Sequence, residues 1–353
     1  MIVSRTPFRL SFFGGGTDYP AWFRHHGGTV LSTTINKYCY LTVRYLPPFF
    51  EHRIRVVYSR IENCQTIDEI VHPAVRETLR FLGVERGVEI HHDGDLPAGS
   101  GMGSSSAFTV GLLHALYALH GKMPGKHQLA RQSIHIEQEL IREAVGSQDQ
   151  ISAAYGGFNQ ISFRPDGEFT VTPITVARPR LEQLNASLML FYTGVRRMSS
   201  EVASTYVNGL DEKKRQLRIA RDLVDEGISI LCNDRDLVDF GELLHEAWEA
   251  KRSLAPLVSN PEVDAMYATA RAAGAVGGKL TGAGGGGFLL LYVPIDRQEE
   301  VREALGRYIH VPFRFDFSGS QIIFLDAEED YSDAERARAR QTIQPFRDLQ
   351  VEL

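Results

Sequence analysis

The chain has 353 residues, more than one compact core usually holds, so two domains are expected. Its 38 Lys and Arg against 44 Asp and Glu give a formal net charge of −6, and 43% of the residues are hydrophobic, as in soluble globular proteins. This balance argues against the basic footprint of a nucleic-acid-binding protein, so a bound phosphate would be held by local arrangement and a metal rather than by net charge.

The three cysteines, Cys39, Cys64 and Cys232, are scattered and form no CxxC pair. This pattern argues against a disulfide framework or a zinc site and is typical of a reducing cytoplasm. The stretch "MIVSRTPFRLSFFGGG" contains no apolar run of the length that a signal peptide or a membrane span needs. We therefore expect a cytoplasmic protein that binds neither nucleic acid nor membranes.

The first half of the chain mixes strand and helix patterns. Alternating or β-branched runs predict strands at 7–13, 29–46, 53–59, 87–93, 156–163 and 169–176. Helical spacing of apolar residues predicts helices at 72–83, 104–120 and 126–143.

The second half opens with an apolar strand pattern at 186–194. Helical patterns and one alternating strand follow, the helices at 199–208, 211–232, 236–251, 261–273 and 296–308 and the strand at 314–318. Strands and helices do not alternate strictly, which favours an α+β fold over a doubly wound parallel sheet. A boundary near 165–180 divides the chain into domains at 1–170 and 171–353.

The stretch "DLPAGSGMGSSSAF", residues 95–108, joins a predicted strand to a long apolar helix. Glycines allow backbone N–H groups to approach a ligand closely, and the first turn of a helix has unpaired donors and a partial positive charge. The sequence therefore predicts an anion site, with serine hydroxyls that could ligate a metal. The alternative is a capping serine after a flexible turn. The Walker loop, the dinucleotide fingerprint and the nucleophile elbow all fail to match this spacing.

Three motifs carry a resemblance to a known family. "LPAGSGMGSSSA" resembles the P-x-G-x-G-(L/M)-G-S-S loop of the GHMP small-molecule kinases, named for galactokinase, homoserine kinase, mevalonate kinase and phosphomevalonate kinase. "TPFRLSFFGGGTDYP", residues 6–20, resembles the family's first motif, and "GGKLTGAGGGGFLLLY", residues 277–292, resembles its third. The three motifs occur in the family's order.

The resemblance implies a fold, a cofactor and a metal. The fold would be a two-domain GHMP kinase, with an N-terminal domain like domain 2 of ribosomal protein S5, a C-terminal ferredoxin-like α/β plait, and the active site in the cleft between them. ATP and Mg²⁺ would be bound. The residues implied to bind ATP are Pro97, Gly99, Ser100, Gly101, Met102, Gly103, Ser104, Ser105 and Ser106.

The resemblance also implies catalytic and metal-binding residues. Glu137 and Ser105 would hold Mg²⁺, which prefers a few hard oxygens together with substrate phosphates, and Glu139 is the alternative to Glu137. Asp149 would accept the proton of the sugar hydroxyl, because phosphoryl transfer needs a carboxylate that orients the attacking oxygen. The alternative for this Asp is a helix N-cap. Arg9 would stabilise charge near the base and the transferred phosphate.

The first and third motifs bear on the substrate. Galactokinases read G-E-H-T-D-Y where this chain reads "GGGTDYP", so galactose is disfavoured and a bulkier or differently oriented sugar is favoured. The residues expected to contact the sugar are Gly16, Thr17, Asp18, Tyr19, Gly284 and Gly285. The whole pattern is similar to the D-glycero-D-manno-heptose 7-phosphate kinases and their fucokinase-like relatives. This implies phosphorylation of the anomeric hydroxyl of the heptose 7-phosphate, giving the 1,7-bisphosphate for nucleotide-heptose and surface polysaccharide synthesis.

A phosphorylated sugar needs a local positive cluster in an acidic protein. Arg196 and Arg197 in "TGVRRMSS" lie at a predicted strand end, where arginines can hold phosphate bidentately, although solvated loop arginines are the alternative. The partner is thus a small-molecule sugar or sugar phosphate, and the chain would be a monomer or a homodimer. The alternatives are a fucose-type kinase that acts on an unphosphorylated sugar and a non-catalytic sugar-phosphate sensor.

Overall fold

The structure is a computed structural model, and it describes residues 1–195, 203, 213–233, 235–326 and 329–342. Within these residues the larger sheet contains nine strands. They are β1 (Ile2–Phe13), β2 (Gly28–Tyr45), β3 (Ile54–Val57), β4 (Ile61–Cys64), β5 (Val88–Gly94), β6 (Asn159–Phe163), β7 (Phe169–Pro173), β12 (Phe315–Asp316) and β13 (Gln321–Leu325).

The two long strands β1 and β2 form the centre of this sheet. The strand order is β13-β1-β2-β5-β3-β4, in which neighbours pair antiparallel except for the parallel pair β5 and β3, and β6 and β12 also pair with β2. Phe8, Leu10 and Phe12 of β1 are fully buried or nearly so, and the residues between them on its other face are buried as well. The sheet thus holds the end of β1, and the turn that follows it, in a fixed position.

The helices associated with the first half are α1 (Pro20–His26), α2 (Pro73–Leu82), α3 (Ser104–Leu119), α4 (Lys126–His135) and α5 (Gln148–Tyr155). Helix α3 is apolar on most of its surface and is buried against β1 and β2. Gly111 allows this close packing, because a Cβ there would lie 2.8 Å from Thr6 Oγ1, and Ser4 Oγ donates to the Gly111 carbonyl at 2.9 Å. The sheet therefore fixes where α3 begins.

The smaller sheet, in the described part of the second half, has the antiparallel order β11-β8-β10-β9. Its strands are β8 (Leu188–Tyr192), β9 (Gly277–Leu280), β10 (Phe288–Tyr292) and β11 (Ile309–His310). The remaining described helices are α6 (Arg178–Ala186), α7 (Lys214–Cys232), α8 (Val238–Arg252), α9 (Pro261–Ala272), α10 (Gln298–Ala304) and α11 (Ser332–Arg338). All five residues of β10 are buried, as expected for a central strand that is covered on both faces.

Two expectations from the sequence need correction. The helix expected at 126–143 is α-helical only to His135; it continues as a π-helix at Ile136–Leu140 and ends before Arg142, whose φ of 64° is left-handed. The domain boundary expected at 170/171 falls inside β7, and β12 and β13 return to the larger sheet. We therefore propose the two sheets with their helices, rather than two consecutive blocks of sequence, as the structural units.

The helix expected at 199–208 lies almost entirely outside the described residues. None of the described helices is both long enough and apolar enough to span a bilayer.

Candidate active site

Both halves of the chain line one cavity of about 230 Å³. The first half contributes the end of β1, the turn at 14–16, the glycine loop before α3 and the segment 143–149. The second half contributes α7, α8 and residues 279–283. The three motifs identified in the sequence therefore meet at this cavity.

The glycine loop needs its glycines for backbone conformation and for close packing. Gly99, Gly101 and Gly103 have φ values of 68°, 77° and 73°, which side chains with a Cβ rarely adopt. A Cβ on Gly101 would lie 2.7 Å from the Thr281 carbonyl oxygen, and one on Gly282 would lie 2.6 Å from Gly101 Cα. The third motif thus packs directly against the loop and holds its backbone at the start of α3.

The loop residues divide into two groups. Those that line the cavity are Gly99, Gly101, Gly103, Ser104, Ser105 and Ser106. Pro97, Ser100 and Met102, which were also expected to bind ATP, do not line it. Ser100 and Met102 are fully buried, so they face the protein interior instead of the cavity.

Arg9 connects the glycine loop to Asp149. Its Nε and Nη2 donate to the two carboxylate oxygens of Asp149, both at 2.7 Å, and its Nη1 donates to the Gly101 carbonyl at 2.6 Å. Bidentate pairs of this kind fix both side chains. Asp149 lies in the first turn of α5 and lines the cavity, and the N-cap of α5 is Ser147, so the structure does not place Asp149 at the cap.

Asp18 is buried beside Asp149 and also lines the cavity. Its carboxylate accepts hydrogen bonds from the backbone N–H groups of Gly16, at 2.9 Å, and Gln148, at 3.4 Å. Burial, reinforced by the negative charge of Asp149, raises the pKa of Asp18 to about 6. Asp18 therefore joins the turn of the first motif to the segment that carries Asp149.

Glu137 lies in the π-helix behind the glycine loop and is 1% exposed. Its Oε2 accepts hydrogen bonds from Ser106 Oγ, at 2.9 Å, and Gln150 Nε2, at 2.5 Å. Burial raises the pKa of Glu137 to about 7. The serine in contact with Glu137 is thus Ser106; Ser105, expected from the sequence to pair with it, is exposed on the first turn of α3.

The residues around Glu137 fit a hard cation. Glu137 does not itself line the cavity, but Ser106, which donates to its Oε2, does. Glu137 Oε1 is buried and has no hydrogen-bond partner among the described residues. A carboxylate with an unused oxygen and a neighbouring hydroxyl are ligands that Mg²⁺ accepts together with phosphate oxygens. Glu139, the alternative, is exposed. A π-helical turn is often found at a functional site.

Two lysines from the second half line the opposite side of the cavity. Lys279 Nζ donates to the Phe12 carbonyl at 2.7 Å, and Lys251 Nζ donates to the carbonyls of Leu280, at 2.9 Å, and Gly282. Burial lowers the pKa of Lys279 to about 7 and holds the pKa of Lys251 well below its usual value. Backbone carbonyls carry no net charge, so both ammonium groups suit an anion in the cavity.

The structure separates the residues expected to contact the sugar. Gly16 and Tyr19 line the cavity with Asp18. Thr17 does not, because its hydroxyl donates to the backbone carbonyls of Gly14 and Thr29, at 2.8 and 2.9 Å, and holds the turn closed.

In the third motif, the residues that line the cavity are not the ones expected to contact the sugar. Gly284 and Gly285 lie outside the cavity lining, since they pack against Val258, whose carbonyl accepts from Gly285 N at 2.9 Å. Gly282 and Ala283 line the cavity instead. Arg196 and Arg197 lie outside the described residues.

No local sequence signal assigns Lys251 and Lys279 to this cavity. Lys279 lies within the third motif, but nothing in the local sequence shows that its ammonium reaches the end of β1. Lys251 lies on a helix with a mixed polar surface, and a contact with a turn about 30 residues later in the chain has no local signal.

Two family models match the chain. The description "GHMP kinases N terminal domain" matches residues 69–157, which include the glycine loop, Glu137 and Asp149. The description "GHMP kinases C terminal" matches residues 228–310, which include Lys251 and the third motif.

The chain therefore contains both the N-terminal and the C-terminal domain of the GHMP kinases. The family resemblance and the two-domain α+β GHMP kinase fold inferred from the sequence are therefore confirmed. This GHMP kinase is an ATP-dependent sugar kinase, a transferase that phosphorylates an alcohol group.

Relatives and solved structures agree with this assignment. The D-glycero-alpha-D-manno-heptose 7-phosphate kinase of Campylobacter jejuni is 27% identical over 319 residues, which cover 86% of this chain and 93% of the relative. A bifunctional fucokinase/GDP-fucose pyrophosphorylase of Arabidopsis thaliana is 26% identical over 85% of this chain, but the match spans only 30% of that longer protein. The crystal structure of a D-glycero-D-manno-heptose 1-phosphate kinase from Bacteroides thetaiotaomicron superimposes with a TM-score of 0.75 at 25% identity, covering 93% of this chain and 100% of that one.

Proposed function

We propose that this GHMP kinase transfers the γ-phosphoryl group of MgATP to the anomeric hydroxyl of D-glycero-D-manno-heptose 7-phosphate. The product would be the 1,7-bisphosphate. The observation that carries the proposal is the placement of Asp149 in the cavity, held by Arg9 beside the glycine loop.

ATP would lie with its triphosphate against the loop between Gly99 and Ser106. The backbone there is fixed by left-handed glycines and ends at the N-terminus of α3, where unpaired N–H groups and the helix dipole favour negative charge. Glu137 and Ser106, with Ser105 as a further hydroxyl, would hold Mg²⁺. The metal would neutralise charge on the β- and γ-phosphate oxygens.

Asp149 would accept the proton of the anomeric hydroxyl as its oxygen attacks the γ-phosphorus. The new O–P bond forms while the bond from the γ-phosphorus to the bridging oxygen breaks, and ADP leaves. Arg9 holds the carboxylate of Asp149 through two hydrogen bonds, so the base is oriented before the sugar binds. Lys251 and Lys279 would stabilise the negative charge of the transferring group from the opposite side of the cavity.

The choice of sugar phosphate is supported by two relatives. The names of the Campylobacter relative and the Bacteroides structure both refer to heptose phosphate kinases, although they differ in whether the phosphate is at position 7 or position 1. A fucose-type kinase is the second candidate, because the Arabidopsis relative includes a fucokinase.

A panel of sugars with MgATP tests the proposal. Heptose 7-phosphate, heptose 1-phosphate, fucose, mannose and galactose are compared by kcat/KM, and ³¹P NMR of the product locates the new phosphate. We expect heptose 7-phosphate to give the highest value and the new signal to be at the anomeric position. Preference for fucose, or a new phosphate elsewhere on the ring, would contradict the proposal.

A further inference from the structure

Gln150 follows the proposed base in the chain but faces a different part of the molecule. Asp149 and Gln150 are adjacent in the first turn of α5, where neighbouring side chains point about 100° apart. Asp149 lines the cavity, whereas Gln150 is fully buried and does not line it. The Nε2 of Gln150 donates to Glu137 Oε2 at 2.5 Å instead. One helical turn therefore carries both the proposed base and a contact with the proposed metal ligand.

The two carboxylate oxygens of Glu137 are in different situations. Oε2 accepts two hydrogen bonds, one from Ser106 Oγ at 2.9 Å and one from the Gln150 amide. Oε1 is buried and has no partner within the described part of the chain. The torsion that turns a carboxylate is broad and roughly two-fold, so the side chain does not by itself select which oxygen is left free. The two donors make that selection.

The amide of Gln150 has an unsatisfied end of its own. Its Oε1 is buried and accepts no hydrogen bond from any residue that the structure describes. Such an atom lowers stability, which argues against a purely structural reason for an amide at this position. The amide satisfies Glu137 and leaves its own oxygen without a partner. This arrangement suits a group that orients a metal ligand from behind.

We propose that Gln150 is a positioning residue for the metal site, which holds the Glu137 carboxylate so that Oε1 stays free for Mg²⁺ and ties it to the helix that carries Asp149. The inference deepens the proposed function and rests on its placement of Mg²⁺ at Glu137. Arg9 holds Asp149 from the cavity side through two hydrogen bonds. The base and the metal ligand are thus both oriented before the substrates bind.

The test measures how much Mg²⁺ tightens the binding of a non-hydrolysable ATP analogue, with no turnover involved. Titration calorimetry with and without Mg²⁺ gives two dissociation constants, and we call their ratio the Mg²⁺ gain. Gln150→Met keeps a side chain of similar length and removes the donor. The Mg²⁺ gain should fall by about 10–100-fold, the usual effect of losing a group that orients a metal ligand, while the affinity without Mg²⁺ stays within about twofold of wild type.

A second variant and a matched control separate positioning from general damage to α5. Gln150→Asn keeps a buried amide but is one methylene shorter, which withdraws the donor from Glu137, so it should also lower the Mg²⁺ gain. Ser152→Ala is the control, because Ser152 is buried on the same helix and its hydroxyl is hydrogen-bonded to Ser32 Oγ at 3.1 Å rather than to Glu137. It should keep the wild-type Mg²⁺ gain. Melting temperatures show that the variants fold.

A double-mutant cycle with Glu137→Gln shows whether Gln150 acts through Glu137. In the Glu137→Gln background, Gln150→Met should change the Mg²⁺ gain by less than about twofold, because the oriented carboxylate is already gone. A wild-type Mg²⁺ gain in a folded Gln150 variant, or an equal fall in Ser152→Ala, would overturn the proposal.

The single variant Glu137→Gln keeps this test separate from the proposed function. A lower Mg²⁺ gain in Glu137→Gln together with an unchanged gain in Gln150→Met would overturn the positioning role and leave the metal placement intact. An unchanged gain in Glu137→Gln would contradict the metal placement, and the inference with it. None of these results depends on which sugar is phosphorylated.

Discussion

The two walls of the cavity carry opposite charges. The wall from the first half contains the carboxylates Asp18, Glu143 and Asp149 with a single cation, Arg9, while the described lining of the second half is charged only through Lys251 and Lys279. Asp149 of the first wall is held by Arg9 and Asp18 by backbone N–H groups, whereas the lysines of the second wall are held by backbone carbonyls.

This difference suits two separate tasks in phosphoryl transfer, which are orienting the base and stabilising the charge of the transferring group. A base must be oriented, and the pairing with Arg9 orients Asp149. The positive charge of Arg9 offsets part of the negative charge of the carboxylate. A cation that stabilises a transferring phosphoryl group must be protonated, and burial opposes this in both lysines by lowering their pKa values. An anion bound between the walls would favour the protonated form of both lysines.

The largest effect is expected on the first wall. Asp149→Ala should lower kcat by roughly 10²–10⁴-fold, the usual contribution of a positioned base, and leave ATP binding little changed. Calorimetric titration with ATP and steady-state turnover of the same preparation check both parts. A variant that keeps its turnover would place the base elsewhere on this wall.

The sequence predicts much of this wall because its signals are local. The glycine loop at the start of α3 follows from its composition and position, and Asp149 follows from the resemblance to the GHMP kinases. The contact of Ser106 with Glu137 does not, since adjacent residues in the first turn of a helix point about 100° apart and only the packing of the π-helix selects one of them.

The next largest effect concerns the metal. Glu137→Gln should raise the Mg²⁺ concentration needed for half-maximal activity by roughly 100-fold, because the amide supplies no charge to the cation. Glu139→Gln is the matched control, since Glu139 is in the same π-helix but exposed. Equal behaviour of the two variants would remove Glu137 from the proposed metal site.

The lowered pKa of Lys279 in the second wall predicts that kcat/KM for ATP depends on pH. The pKa of Lys279 is lowered to about 7, so its ammonium is present below that pH and lost as the pH rises through 7. We expect kcat/KM for ATP to fall by roughly tenfold as the pH rises through this range, and Lys279→Met to lack this limb of the profile. A limb that persists in the variant would show that another group titrates.

The same pKa has a consequence for stability. The unfolded chain keeps this proton up to about pH 10.5, whereas the folded protein releases it near pH 7, so Lys279 makes the free energy of unfolding rise with pH between these values. Lys279→Met should therefore stabilise the protein most below pH 7, with a gain that shrinks toward pH 10.5. Urea unfolding at pH 6 and pH 9 measures the difference.

The smallest effect separates two neighbouring serines. Ser106→Ala should raise the Mg²⁺ requirement by about tenfold, while Ser105→Ala should change it less, because Ser106 alone of the two contacts Glu137. The Mg²⁺ dependence of turnover is compared in both variants. A larger effect of Ser105→Ala would restore the pairing that the motif favours.

The second wall is less predictable from sequence than the first. Lys251 and Lys279 reach backbone carbonyls of other segments through contacts that no local pattern encodes. The packing of the third motif against Val258 likewise decides which of its residues line the cavity. Gly282 and Ala283 do so, and Gly284 and Gly285 do not.

The most direct test of the account is a crystal structure with a non-hydrolysable ATP analogue, Mg²⁺ and heptose 7-phosphate. We expect the β- and γ-phosphates to lie against the backbone of Gly101–Ser106 and a sugar hydroxyl to lie within about 3 Å of the Asp149 carboxylate. A triphosphate bound away from the glycine loop, or a sugar that leaves Asp149 without a hydroxyl in reach, would contradict it.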